Sequence, residues 1–243
     1  MFNKYFEVFL ADTKKSKKIH YSIRYQVYCE EMGFENKEDF PLQMEYDEND
    51  RTSTHFIVRD KRTGLWVGAM RLIFKNDDFL PIERSCTLDE KIAHNELFGA
   101  VELSRLCLIK DARRGIKDID HNGAVDDSNT AINIDNIASI PHRNKFNRLI
   151  IWGLIHAASD FCSTNNIHHW YFMTTSILAR VLRRGGLDLM GIGDPCSHKG
   201  ERFPFKMNVI ETYQSKIWED YEHGYQLFSQ WNSSQIPSLA AVA

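Results

Sequence analysis

The chain has 243 residues, is 43% hydrophobic and carries a formal charge of -3. It is long enough to bury a normal core, and its charge gives no global cationic field for nucleic-acid phosphates, so any basic docking patch has to be local. The most apolar stretch, LIIWGLIHAA (149–158), is too short to cross a bilayer, and the N-terminal lysines follow rather than precede the first apolar run, the reverse of a signal peptide.

These features predict a cytoplasmic protein with no membrane span. Cys29, Cys86, Cys107, Cys162 and Cys196 are odd in number, scattered and free of Cys-x-x-Cys spacing, which reads as reduced thiols rather than a disulfide framework. His168 and His169 are adjacent and on a strand would point to opposite faces, so no metal site is expected.

In chain order, FEVFLA (6–11) has strand character and Asp12-Thr13 supplies a helix cap. Ile19, Ile23 and Val27 recur every four residues, predicting a helix from about 14 to 32 that stops at Gly33. On that helix Arg24 and Tyr28 share one stripe. A long acidic connection follows, and then THFIVRD and LWVGAMRLIF flank a turn at Lys61–Gly64 as a hairpin. VELSRLCLI (101–109) reads as a central strand, and residues 110–145 as a polar insertion.

Beyond it come a helix over 146–165, the strand HHWYFMTT, the helix SILARVLRR closed by Gly185-Gly186, two strands in LDLMGIG and RFPFKMNVIE, and a helix near 213–230. The expected fold is α/β, a mixed sheet flanked by helices in a single domain over 1–231, with a flexible tail at 232–243.

Charges inside strands are the informative residues. Arg71 shares a strand face with Val67, Ala69 and Ile73, where a guanidinium needs buried acceptors. Glu102 and Arg105 fall on opposite faces by strict alternation, and a bulge would bring them nearer. The acidic connection offers Glu45, Asp47 and Asp50 as partners. Two readings stand: structural ion pairs tying the first helix to the sheet, or a functional cluster. A carboxylate among apolar neighbours, as at Glu102, is expected to have a raised pKa, the property of a general base.

Arg24 with Tyr28, Phe34 after Gly33, Asp47 with Asp50, VGAMRLI with Arg71, and ELSR with Glu102 and Arg105 together resemble the acyl-homoserine lactone synthases and the related N-acyl amino acid synthases, which share a GNAT-like fold. The wording RYQVYCEEMGFE, EDFP and HFIVRDKRTGLWVGAMRLI is closer still to the acyltransferases associated with PEP-CTERM/exosortase systems. The synthases usually carry Trp at the position of Phe34 and Phe at that of Tyr28.

The resemblance implies a cytoplasmic N-acyltransferase moving a fatty acyl group from acyl carrier protein, or from acyl-CoA, to the amine of an amino acid or similar small molecule. No tightly bound cofactor is implied; the acyl thioester is a co-substrate. Glu102 and Arg105 would be catalytic, and Arg24, Tyr28, Phe34, Asp47, Asp50 and Arg71 would bind the amine substrate. Trp152, Phe172 and Met173 are candidates for the acyl pocket. Arg113–Asp118 lacks the second glycine of a coenzyme A pyrophosphate loop, which favours the carrier protein as donor. The runs Lys14, Lys15, Lys17, Lys18 and Arg180, Arg183, Arg184 would meet that acidic partner. The alternatives are an acetyl-CoA-dependent acetyltransferase of this fold and a non-catalytic acyl- or carrier-binding module.

Overall fold

The computed structural model describes residues 2–75, 79–89, 99–114, 144–219, 221 and 224–231. A short helix α1 (Phe2–Tyr5) leads into β1 (Phe6–Leu10). Thr13 then caps α2 (Lys14–Arg24) in a reciprocal box with Ser16, which satisfies amide groups that a helix start leaves open. The expected helix does extend to residue 31, but from Tyr25 to Glu31 it widens into a π-helix, and the Met32 N–H reaches back five residues to the Val27 carbonyl at 3.0 Å. Such widened turns are frequent at functional sites because they re-aim side chains. Gly33 ends the segment with φ +64°.

The acidic connection is ordered. Asp47 and Asp50 cap one another's backbone around a 3-10 turn at Glu48–Thr52, which turns both carboxylates inward. The hairpin forms as β2 (Ser53–Asp60) and β3 (Trp66–Phe74). Then come α3 (Pro81–Ser85), β4 (Ala100–Leu108), α4 (Lys110–Arg114), α5 (Asn144–Thr164), β5 (His169–Thr174) and α6 (Ser176–Arg184). The chain continues through β6 (Met190–Gly191), β7 (Cys196–Ser197), β8 (Glu201–Asn208), α7 (Val209–Tyr213) and β9 (Gln226–Leu227). The sheet order is β6-β8-β5-β4-β3-β2-β1-β9, with β7 also on β8. Helices α2 and α5 cover opposite faces: His55 meets His20 of α2, while its neighbour Phe56 packs on Phe161 of α5.

Two junctions in the sheet place the site. Strands β4 and β5 run parallel and pair only over Ala100–Glu102 with His169–Tyr171, then separate, so the sheet forks beyond Glu102. On the other edge of β4, Ala69 pairs with Cys107 and Arg71 with Ser104, which leaves one extra residue on β4. This is a bulge, and Arg105 within it takes φ +52°.

Three expectations need correction. The helix near 213–230 is instead α7, a 3-10 turn at Lys216–Trp218 and the strand β9, which pairs in parallel with β1. The aromatic residues there anchor one by one, as Trp218 does by donating its indole N–H to the Thr212 carbonyl. The strand in LDLMGIG shrinks to two exposed residues. Cys86 and Cys196 form a disulfide with a Cα–Cα distance of 5.2 Å, whereas Cys29, Cys107 and Cys162 are free and buried. The odd count of cysteines is compatible with one bridge plus three thiols, and the 110-residue separation hides the pairing from sequence spacing. The 110–145 insertion falls mostly, and the 232–243 tail wholly, outside the described residues. No helix among the described residues is long and apolar enough to cross a membrane.

Candidate active site

Three guanidiniums from three elements converge on three carboxylates. Arg24, wholly buried at the end of α2, donates to Glu45 and, at 2.6 Å, to Asp50. Arg71 on β3 forks onto Asp47 at 2.6 and 2.9 Å, reaches Asp50 at 2.8 Å and donates its Nε–H to Ser104 at 3.0 Å. Arg105 reaches Glu45 at 3.1 Å and Asp47 at 3.3 Å, with its guanidinium over the Tyr28 ring. Burial alone would raise Asp50, but a hydrogen bond from His55 and the charges of Arg24 and Arg71 hold its carboxyl well below the usual range. Asp47 is likewise lowered, its burial outweighed by Arg71 and Arg105. Burial lowers the His55 pKa against the opposing pull of Asp50, whose carboxylate accepts its Nε2–H at 2.9 Å.

Glu102 lies in a different environment. It is buried where the sheet forks, beneath a small apolar cluster of Leu80, Ile82, Cys86, Ala100 and Tyr171. Its Oε2 accepts the Ile82 N–H at 2.6 Å, and no ion pair reaches it among the described residues. Burial pushes its carboxyl up to about 8, against the opposing pull of that N–H and of Arg71 and Arg105. A carboxyl protonated near neutrality and titrating just above it is suited to proton transfer.

One cavity of about 300 Å³ joins these environments. Its polar end holds Asp47, Arg71, Glu102, Ser104 and Arg105, and its rim carries Glu35, His198, Lys199 and Arg202. The other end enters the fork and is lined by Ile155, Trp170, Phe172, Leu178, Leu182 and Met207. Its occupant would therefore have one charged and one apolar end. Lys199 spans the rim, donating to the Phe34 carbonyl at 2.5 Å and to Glu35 at 3.1 Å.

Of the residues singled out from the sequence, Glu102, Arg105, Tyr28, Phe34, Asp47, Arg71, Phe172 and Met173 line this cavity. Tyr28 also donates to the Leu106 carbonyl at 3.4 Å, which ties the widened helix to the bulged strand. Arg24 and Asp50 do not line the cavity; they sit behind its wall, where they hold Glu45 and Arg71. Trp152 also stays outside, edge-on to Trp218 at 6.3 Å, and Ile155 and Trp170 occupy the place expected for it. The rim residues His198, Lys199 and Arg202 carry no sequence signal of a site: the first two lie between predicted strands, and Arg202 opens the strand RFPFKMNVIE. The pyrophosphate-loop comparison at Arg113–Asp118 falls on residues whose side chains lie outside the described set.

Residues 23–117 match the family described as Acetyltransferase (GNAT) domain. No curated protein matches the chain. Among solved structures, a CoA-dependent acyl-homoserine lactone synthase, BjaI, with SAM and isopentyl-CoA superposes with a TM-score of 0.62 at 13% identity, over 92% of each chain. TofI in a ternary complex with an inhibitor and MTA gives 0.55 at 16% identity, over 84% of this chain and 91% of its own. The AHL synthase LasI gives 0.53 at 15% identity, over 84% and 90%. The fold is therefore GNAT-like, a central mixed sheet flanked by helices. At these identities the likeness defines architecture, and chemistry has to be argued from the site.

Proposed function

We propose that this chain is an N-acyltransferase that moves a fatty acyl group from a thioester to the primary amine of an amino acid or a similar small molecule. The observation that carries this reading is the position of Glu102. A buried carboxyl pushed up to about 8 stands where the polar and apolar ends of one cavity meet. An ammonium entering the polar end must lose a proton before its nitrogen can attack, and Glu102 takes it directly or through one water. Attack on the thioester carbonyl forms the C–N bond and an oxyanion. Beyond Glu102 the fork-facing edge of β4 has no strand partner among the described residues, so N–H groups on that edge could serve that oxygen. Collapse breaks the C–S bond; the second proton on nitrogen goes to the departing thiolate, and Glu102 later returns the first to solvent.

In this reading the apolar arm at Phe172, Leu178 and Leu182 takes the acyl chain, which favours fatty over acetyl donors. Arg71, Asp47 and Arg105 shape the amine end, while Arg24 and Asp50 hold that wall rigid. Acyl carrier protein fits as donor because α6 turns Leu178 and Leu182 to the cavity and Arg180, Arg183 and Arg184 outward, a basic face beside the acyl arm. The solved CoA-dependent synthase of the same fold supports acyl-CoA as the other donor. Mass spectrometry of lipids from cells expressing the chain tests the reading and should find a new fatty acyl amide. Acetylated amines alone would favour the acetyltransferase alternative. Thioester binding without any amide product would leave a binding module.

A further inference from the structure

The cations that line the cavity differ in how far their charge is met. Arg71 contacts two carboxylates and Arg105 three, and Lys199 pairs with Glu35. Arg202 is the exception among the described residues. Its guanidinium donates to two backbone carbonyls, Glu201 and Lys199, both at 2.9 Å, and to no carboxylate. These two bonds hold the fork in place and leave three of its five N–H groups and its whole charge uncommitted.

The site's charge balance sharpens the point. Glu45, Asp47 and Asp50 offset Arg24, Arg71 and Arg105, and Glu35 offsets Lys199, while the Glu102 carboxyl is protonated near neutrality. The charge of Arg202 is left over at a half-buried position on the cavity wall. Neighbouring His198 is lowered by burial and then by Arg105, Arg202 and Lys199, so this rim is a local positive focus. The turn that presents it is fixed: Lys199 and Gly200 take φ +53° and +101°, and the His198 N–H closes onto the Gly200 carbonyl at 2.8 Å.

We propose that Arg202 is the oxyanion-reading residue of the site, pairing in a fork with a carboxylate or phosphate carried by a substrate. A planar guanidinium matches both groups in two-point geometry. The inference rests on the acyl-transfer reading above. Two sources present that chemistry there, the carboxylate of the amine acceptor and the phosphate of the donor's pantetheine arm.

The test uses the full chain, wild type and as Arg202→Ala and Arg202→Lys, with two matched probe pairs. One pair is a panel of L-amino acids against their carboxamides; the other is decanoyl-4'-phosphopantetheine against decanoyl-pantetheine. Wild type should favour the anionic member of at least one pair by about 10- to 100-fold in kcat/KM, the range of a charge-assisted fork. Arg202→Ala should abolish that preference and Arg202→Lys should keep part of it, and the pair that collapses identifies the source. Calorimetric binding of the same pairs reads the preference without turnover, so failure of acyl transfer is distinguishable from failure of this inference. No preference in wild type, or the same preference in Arg202→Ala, would overturn it.

Discussion

Two carboxylate environments, one tied to β3 through Arg71 and the other on β4 itself, behave in opposite ways. On the β3 side Asp50 is buried and Asp47 half-buried, both are met by guanidiniums, and both are driven down. Across the bulge Glu102 is buried with one amide N–H for company, and it is driven up to about 8. Burial is common to both, so the partner decides the sign. One side is built to stay charged and rigid, the other to exchange a proton near neutral pH.

The largest expected effect comes from breaking the charged side. Arg24→Met leaves Glu45 and Asp50 buried and short of a partner, and should cost about 5 kcal/mol, the upper end for a broken buried pair, because two carboxylates lose it. Urea unfolding at pH 7 measures this. Next comes the opposite side. Glu102 holds a proton in the folded state between its ordinary 4.5 and about 8, so its contribution to stability is full below 4.5 and is lost as pH rises through 8. Glu102→Gln should then be more stable than wild type by up to about 4 kcal/mol at pH 8, with the gain vanishing near pH 4.5. Asp50 has the reverse sign, its contribution being lost as pH falls, so thermal unfolding against pH should separate the two sides.

Reducing the Cys86–Cys196 bridge acts on the Glu102 side, because Cys86 caps α3, the helix whose Ile82 N–H meets Glu102. A loss of about 3 kcal/mol is expected, read as a lower midpoint in reductant and reproduced by Cys86→Ser without it. Tyr28→Phe removes one long hydrogen bond to the Leu106 carbonyl. It should change stability by about 0.5 kcal/mol and leave both carboxylate environments in place.

Much of this arrangement could be read from the sequence because charges in apolar strands demand partners. Arg71, Glu102 and Arg105 stood out for that reason, and Glu45, Asp47 and Asp50 were the nearest acids to offer. The hairpin and the β4 strand were equally plain, since their period of two and turn residues are local signals. What escaped depends on distance along the chain or on helix rotation. The Cys86–Cys196 pair and the β1–β9 pairing join remote segments. Ile155 rather than Trp152 faces the cavity because the apolar character of α5 runs nearly all round it, which leaves the sequence no face to choose. The π-helical widening after Arg24 has no sequence mark, yet it sets how Tyr28 lies against the bulge.

The central claim is that Glu102 removes the proton that acyl transfer requires. Acyl transfer to the accepted amine, measured against pH in wild type and Glu102→Gln, addresses it most directly. The wild-type rate should climb with an apparent pKa near 8, and Glu102→Gln should lose about 10²- to 10⁴-fold together with that limb. A folded Glu102→Gln enzyme that transfers at the wild-type rate with the same limb would contradict the account.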